Sequence, residues 1–250
     1  MSLRFLATPR WLGLAALMLL LAVVMVGLGD WQLHRYHERS AVNARIDAGA
    51  VAAPSPLTSV VPREWTRVEV AGRYDAGHEI LARGRTVNGA VGYEVLTPLV
   101  RDDGTAVLVD RGWLPAPPGG ASVAPQVPPA PPGLVNVIGR VRLPESGATV
   151  PTTDAGRLEV RRIAPAKLVA AVPYPLVSAY LTLDSQSPPA DPHFTAIQPD
   201  HLNAWQNAGY VVQWWAFAAL TLVGYVLLAR REVQLRADAE AGVPVEPVRL

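Results

Sequence analysis

The chain has 250 residues, half of them hydrophobic and 17% charged, with a mean hydropathy of +0.19 and a formal net charge of +1. Soluble domains carry about 25% charged residues, so apolar sequence must be concentrated somewhere, and the near-zero net charge argues against a nucleic-acid partner. Cysteine is absent, which excludes disulfides, thiolate metal sites, cysteine nucleophiles and thioether-attached haem.

Residues 1–10 are a short tail carrying Arg4 and Arg10. Residues 11–29 hold no charge. As a helix they cross about 28 Å, close to the thickness of a bilayer core. The run is longer than the apolar part of a signal peptide, so an uncleaved transmembrane helix is expected. Residues 30–48 continue with charges and histidines at three- and four-residue spacing, predicting that the helix projects beyond the membrane. Residues 51–64 contain Pro54, Pro56 and Pro62 and read as a linker.

Period-two alternation then sets in. Strands are predicted over 67–71, 78–83, 91–100 and 105–113, with Asn88-Gly89 as a hairpin turn and Asp102-Asp103-Gly104 as the next. Together they read as an antiparallel meander. Residues 114–133 are dense in proline, which suits no central strand and predicts a flexible or polyproline-type insertion. Strands follow over 134–143, 157–163 and 176–183, with a short helix over 164–172. About seven strands suffice for a small barrel or two packed sheets.

Residues 208–229 form the second apolar run, with Tyr210, Trp214 and Trp215 at its start and Arg230, Arg231 and Arg236 after it. The arginines put both termini (1–10 and 230–250) in the cytoplasm and residues 30–207 outside, in a multi-pass protein of the cell membrane. The outer segment holds 16 Lys+Arg against 17 Asp+Glu. The expected fold class is therefore membrane α plus β: two transmembrane helices flanking a mostly antiparallel β extracytoplasmic domain.

No catalytic motif is present: no nucleophile elbow, zinc-protease helix or phosphate loop. The chain is not expected to be an enzyme. Asp102, Asp103 and Asp110 read as turn and strand-end residues rather than a cation site. His34 and His37 lie one helical turn apart past the first span, and His201 just before the second. Imidazole ligates haem iron, and flat aromatic walls suit a porphyrin; the same aromatics also suit a headgroup belt without any ligand. Gln213, one turn inside the second span, faces protein by this logic, through an interhelical hydrogen bond or a functional contact.

Several blocks resemble one family. Gly29, Trp31, Gln32 and Arg35 resemble the first-span signature of the surfeit-locus (Surf-one) cytochrome oxidase assembly proteins. Gly92-Tyr93 with Thr97-Pro98-Leu99 looks like a second block, and Val109-Asp110-Arg111-Gly112-Trp113 a third. Residues 139–144 are similar to the next, and Tyr210 through Trp215 to the second-span signature. The order is preserved over nearly the whole chain. The resemblance implies an assembly factor or chaperone of the respiratory chain. It would assist haem a insertion into cytochrome c oxidase subunit I, or that subunit's maturation, with haem a as a transient cofactor and the bilayer, oxidase subunits and other assembly factors as partners. A stable accessory subunit without its own cofactor is the alternative. The family commonly places a histidine, its favoured haem ligand, three residues before the tyrosine of the last block; here Asn207 stands there. His201 lies six residues earlier, about 9 Å and about 240° away on a helix. The implied cofactor-binding candidates are then His201, His34, His37, Asn207, Trp214 and Gln213. Either a histidine among them supplies the ligand, or haem is held without one, or it is not carried.

Overall fold

Residues spaced four and three apart decide how the two ends of the chain fold. The computed structural model describes residues 3–58, 63–118, 123–148, 150–154 and 156–241. They divide into a helical unit (1–43 and 202–250) and a sheet unit (44–201). Residues 1–2 and 242–250 of the expected tails, 59–62 of the linker and 119–122 of the proline-rich segment lie outside the described residues.

In the helical unit, α1 (Pro9–Val51) starts on a proline, whose missing N–H costs nothing at a first helical position. The polar stretch 30–48 belongs to the same unbroken helix. Helix α2 (Ala204–Glu240) is capped by Asn203, whose Oδ1 accepts from the Gln206 N–H at 3.2 Å. Both helices are long and apolar enough to cross a membrane. They pair antiparallel. On α1 the contacts fall at Met25, Gly29, Gln32, Tyr36, Arg39 and Asn43, a four-three repeat that keeps one seam facing a partner helix. Trp11 meets Tyr225 edge-on at 5.9 Å, and the Thr221 hydroxyl lies 3.8 Å from Met25 Sδ.

The sheet unit is built on β1 (Ser55–Pro56), β2 (Arg67–Tyr74), β3 (Ile80–Val87), β4 (Ala90–Val100), β5 (Ala106–Pro115), β6 (Leu134–Arg142), β7 (Thr152–Asp154), β8 (Arg157–Val160) and β9 (Leu176–Ser187). Strands β2-β6-β9-β5-β4 run side by side, and β4 returns to β2 through the pairs Arg73–Val100 and Tyr74–Leu99, closing a barrel. Gly72 makes the closure possible, since a Cβ there would stand 2.5 Å from the Val100 carbonyl oxygen. Val68, Val70, Val107, Val109, Val137 and Leu181 fill the interior. On β5, Leu108 turns the other way, into a second cluster with Ile80, Leu96, Ile163 and Leu168. Burial on both faces explains why β5 reads as a continuous apolar run.

Several expectations need correction. The sheet is mixed: β1–β2, β3–β8 and β5–β9 are parallel pairings within a mostly antiparallel array. Strand β2 does not extend the β3-β4-β5 meander; it pairs with β6 and touches β4 only at its end, because closure needs a strand on both sides of the gap. The strand expected from His78 begins at Ile80, after a 3-10 turn (Ala76–His78) capped by Asp75. The one expected over 157–163 ends at Val160, and 3-10 turns replace the helix after it. The described part of the proline-rich segment is not a loose insertion: Pro125 is buried, and Ala124 and Val127 pack on the cluster of Leu81, Tyr93, Val95 and Leu114. Prolines lack donors, so their carbonyls must find donors elsewhere, and arginines supply them.

Candidate functional site

The seam of the helical unit brings the two span signatures together. Gly29 lies directly under the Trp215 indole, leaving no room for a Cβ. Three residues on, Gln32 Oε1 accepts from Asn207 Nδ2 at 2.6 Å. Tyr36 then meets Trp205, with ring centroids 6.0 Å apart. Arg39 Nη1 donates to the Asn203 carbonyl at 3.0 Å, and the Asn43 amide bonds both the N–H and the carbonyl of Leu202. Asn207 is 8% exposed, and its Oδ1 is buried without a hydrogen-bond partner.

The remaining candidates on these helices lie off the seam. His34 is 73% exposed, with Nε2 3.2 Å from Glu38, which also pairs with Arg35 at 3.1 Å. His37 is exposed, its ring 5.4 Å from that of Tyr36. Gln213 is exposed on the outer side of α2 rather than bonded across the pair. Trp214 meets Phe217 edge-on, while Trp31 and Tyr210 are exposed. His201 belongs to the sheet unit, where its Nε2 lies 2.8 Å from Asp47 Oδ1. Among the described residues, no group of three or more His, Asp or Glu is arranged to hold a metal ion.

In the sheet unit the signature residues surround one buried cation. Arg111 is 4% exposed. Its Nη2 donates to the carbonyls of Pro128 and Pro129 at 3.2 and 3.0 Å, and its Nη1 lies 3.4 Å from Glu79 Oε2. Phe194 lies under the guanidinium at 4.8 Å, and Tyr74 at 5.7 Å. Burial raises the Glu79 carboxyl and lowers Arg111, each opposed by the other's charge. Gly112 lets Phe194 approach, and Trp113 pairs with Thr195 through two backbone bonds while its Nε1 donates to the Arg85 carbonyl. Gly92 sits against the Trp113 ring, Tyr93 is fully buried, and Pro98 is buried with its carbonyl accepting from the Asp75 N–H. The block therefore holds the proline-rich segment and the 188–195 segment onto the barrel.

Beside it lies a second charged cluster, of which the sequence singled out only Asp110. Arg85 pairs with Glu94 at 3.0 Å and Glu145 at 2.9 Å. Arg142 pairs with Glu64 at 3.2 Å and stacks over Trp65 at 4.1 Å. Asp110 Oδ1 accepts from the Gly112 N–H, and burial, reinforced by the charge of Glu94, holds its carboxyl well above the usual range. These carboxylates are distant in sequence, so only strand register brings them together. A usable signal existed for the helices: the four-three spacing of Gly29, Gln32 and Tyr36.

Comparison with known proteins adds the following. Residues 19–219 match the family model described as SURF1 family. The chain is 30% identical over 253 residues to an uncharacterized SURF1-like protein of Mycobacterium tuberculosis (strain ATCC 25618 / H37Rv), covering 97% of this chain and 92% of the relative. It is 29% identical over 254 residues to a SURF1-like protein of Monosiga brevicollis, covering 90% and 91%. Over 105 residues it is 31% identical to the cytochrome oxidase assembly protein SHY1 of Saccharomyces cerevisiae (strain ATCC 204508 / S288c), covering 39% of this chain and 27% of that protein.

Proposed function

Because the chain belongs to the SURF1 family, we propose that it is a cytochrome oxidase assembly factor that assists haem a insertion into subunit I, or that subunit's maturation, while anchored in a membrane by α1 and α2. The yeast relative is named for oxidase assembly, and the family match runs from within α1 to within α2, across the whole sheet unit.

The outer surface of the helix pair supports the anchoring. Leu12, Leu19, Leu20, Val23 and Val24 on α1 and Leu220, Leu227 and Leu228 on α2 are all at least half exposed. In water such an area far exceeds what a monomer tolerates; in hydrocarbon it is the expected surface. Arg4 and Arg10 before one span and Arg230, Arg231 and Arg236 after the other favour cytoplasmic termini, with the sheet unit outside.

The seam does not fit a haem-iron ligand. The donor at its centre is a neutral amide bonded to Gln32, and amides are poor iron ligands beside imidazole. The action assigned to the protein's own residues is therefore docking rather than chemistry. Gly29, Gln32, Asn207 and Trp215 hold α1 and α2 as one body, and Arg111 holds two long segments on the barrel, so a constant surface meets the oxidase. The observation that carries the reading is that signature residues of both spans meet in one seam.

Deleting the gene should lower spectroscopically detected haem a in membranes while subunit I polypeptide is still made. Normal oxidase spectra and activity without the protein would sink the proposal. The amide pair in place of an imidazole favours, as a second reading, a stable accessory subunit. Stoichiometry after gentle purification separates the two: one copy per mature oxidase for a subunit, far less for an assembly factor.

A further inference from the structure

A cleft of about 670 Å³ in the sheet unit runs between the end of β5, at Leu114 and Pro115, and the proline-rich segment, and half of the residues lining it are prolines. The segment's own geometry explains its wall. Between Ala124 and Pro132 there is no helix or strand, and exposure repeats every third residue. Gln126, Pro129 and Pro132 are exposed, while Pro125 is buried and Pro128 and Pro131 are half-buried. Three residues per turn is the period of a polyproline helix. Arginines pin its backbone: Arg157 Nη1 donates to the Pro125 carbonyl at 3.0 Å, and Arg111 Nη2 to those of Pro128 and Pro129. The proline rings are therefore held in place before anything binds. Asp191 also lines the cleft. Its Oδ1 accepts from the His193 N–H at 2.9 Å and lies 2.7 Å from the ring Nδ1, whereas its Oδ2 makes no hydrogen bond among the described residues. The bonds from His193 hold this carboxyl below its usual range, so it is ionised at neutral pH.

We propose that this cleft receives an aromatic side chain, a Trp or Tyr, projected by a separate partner protein. Proline rings carry no N–H, so the wall is recognised by its ring faces, and preformed polyproline surfaces pair with aromatic side chains. An indole N–H or phenol O–H that enters the cleft needs an acceptor, which the free oxygen of Asp191 supplies. The same negative charge disfavours an anionic lipid as occupant. A second sheet unit does not supply the ring, because every Trp and Tyr described in this unit is buried or half-buried. The inference does not rest on the oxidase-assembly reading.

The test uses the full chain in detergent. Saturation-transfer NMR is recorded with the N-acetyl amides of tryptophan, tyrosine, phenylalanine and leucine. The Trp and Tyr probes should bind about threefold or more tighter than the Leu probe. Pro129→Ala, which removes one ring from the wall, should weaken every aromatic probe about threefold. Pro132→Ala, on the same exposed ridge but outside the cleft, should change nothing. Asp191→Asn should weaken the Trp and Tyr probes about tenfold and spare the Phe probe, since only the first two donate to the carboxylate. In cells, p-benzoylphenylalanine in place of Pro132 should cross-link to another protein at a peptide carrying Trp or Tyr, and adding Pro129→Ala should lower the yield. Equal binding of the Leu probe, an equal loss in Pro132→Ala, or unaltered affinity in Asp191→Asn would overturn the aromatic site. Cross-linking only to a second copy of this chain, or to no protein at all, would overturn the separate partner.

Discussion

Two buried groups in the sheet unit can be tested one side chain at a time. Arg111→Ala would leave Glu79 and two proline carbonyls facing an empty space. Removing one partner of a buried ion pair costs about 3–5 kcal/mol, so the variant should unfold at markedly lower denaturant, read by far-ultraviolet circular dichroism of the solubilised protein. An unchanged midpoint would mean that the pair is not what holds the proline-rich segment. Asp110 makes a prediction about pH. Its carboxyl is raised in the folded state by burial and by the charge of Glu94, so the folded protein holds this proton more tightly than the unfolded one. The associated stability is full below the unfolded value of about 3.9 and is lost as pH rises through the folded value. Asp110→Asn keeps an acceptor for the Gly112 N–H and carries no charge. Its stability relative to the parent should rise with pH above about 4; a flat difference would remove Asp110 from the account. The importance of Arg111, Gly112 and Trp113 was legible from the signature block, but their burial beside Glu79 was not. Glu79 lies 32 positions away in the chain, and only the β3-β4-β5 register brings it there.

At the scale of elements, the helix pair depends on Gly29 more than on any propensity. Gly29→Leu should push Trp215 out and separate the helices. With Met25→Cys and Thr221→Cys in this cysteine-free chain, oxidation should cross-link the parent background and largely fail once Gly29→Leu is added. Efficient cross-linking in both would show that the seam tolerates bulk. A double-mutant cycle of Gln32→Leu and Asn207→Leu should give a coupling of about 0.5–1.5 kcal/mol, the net contribution of an intramolecular hydrogen bond; zero coupling would contradict the bond. Both helices were readable from composition, and most strands from alternation and turn residues such as Asn88-Gly89. The order of strands was not. Nothing in the sequence of β5 distinguishes a parallel neighbour from an antiparallel one, and β9 lies beside it only because the barrel closes. Two- and three-residue strands such as β1 and β7 are too short to show a period at all.

At the scale of the whole molecule, the absence of native cysteine makes the membrane topology directly measurable. Ser2→Cys should react with an impermeant maleimide only after cells are opened, while Ser185→Cys, exposed on β9, should react in intact cells. The reverse pattern would invert the proposed orientation, and labelling of both in intact cells would rule out two spans with cytoplasmic ends. The seam itself has a consequence in time. Gln32 and Asn207 are 175 positions apart. At roughly 5–20 residues per second, about 9–35 s of synthesis separate the two halves of that hydrogen bond. Through that interval the first helix is complete and its partner does not exist. Until the last fifth of the chain emerges, the amide of Gln32 and the notch at Gly29 face their surroundings rather than Asn207 and Trp215.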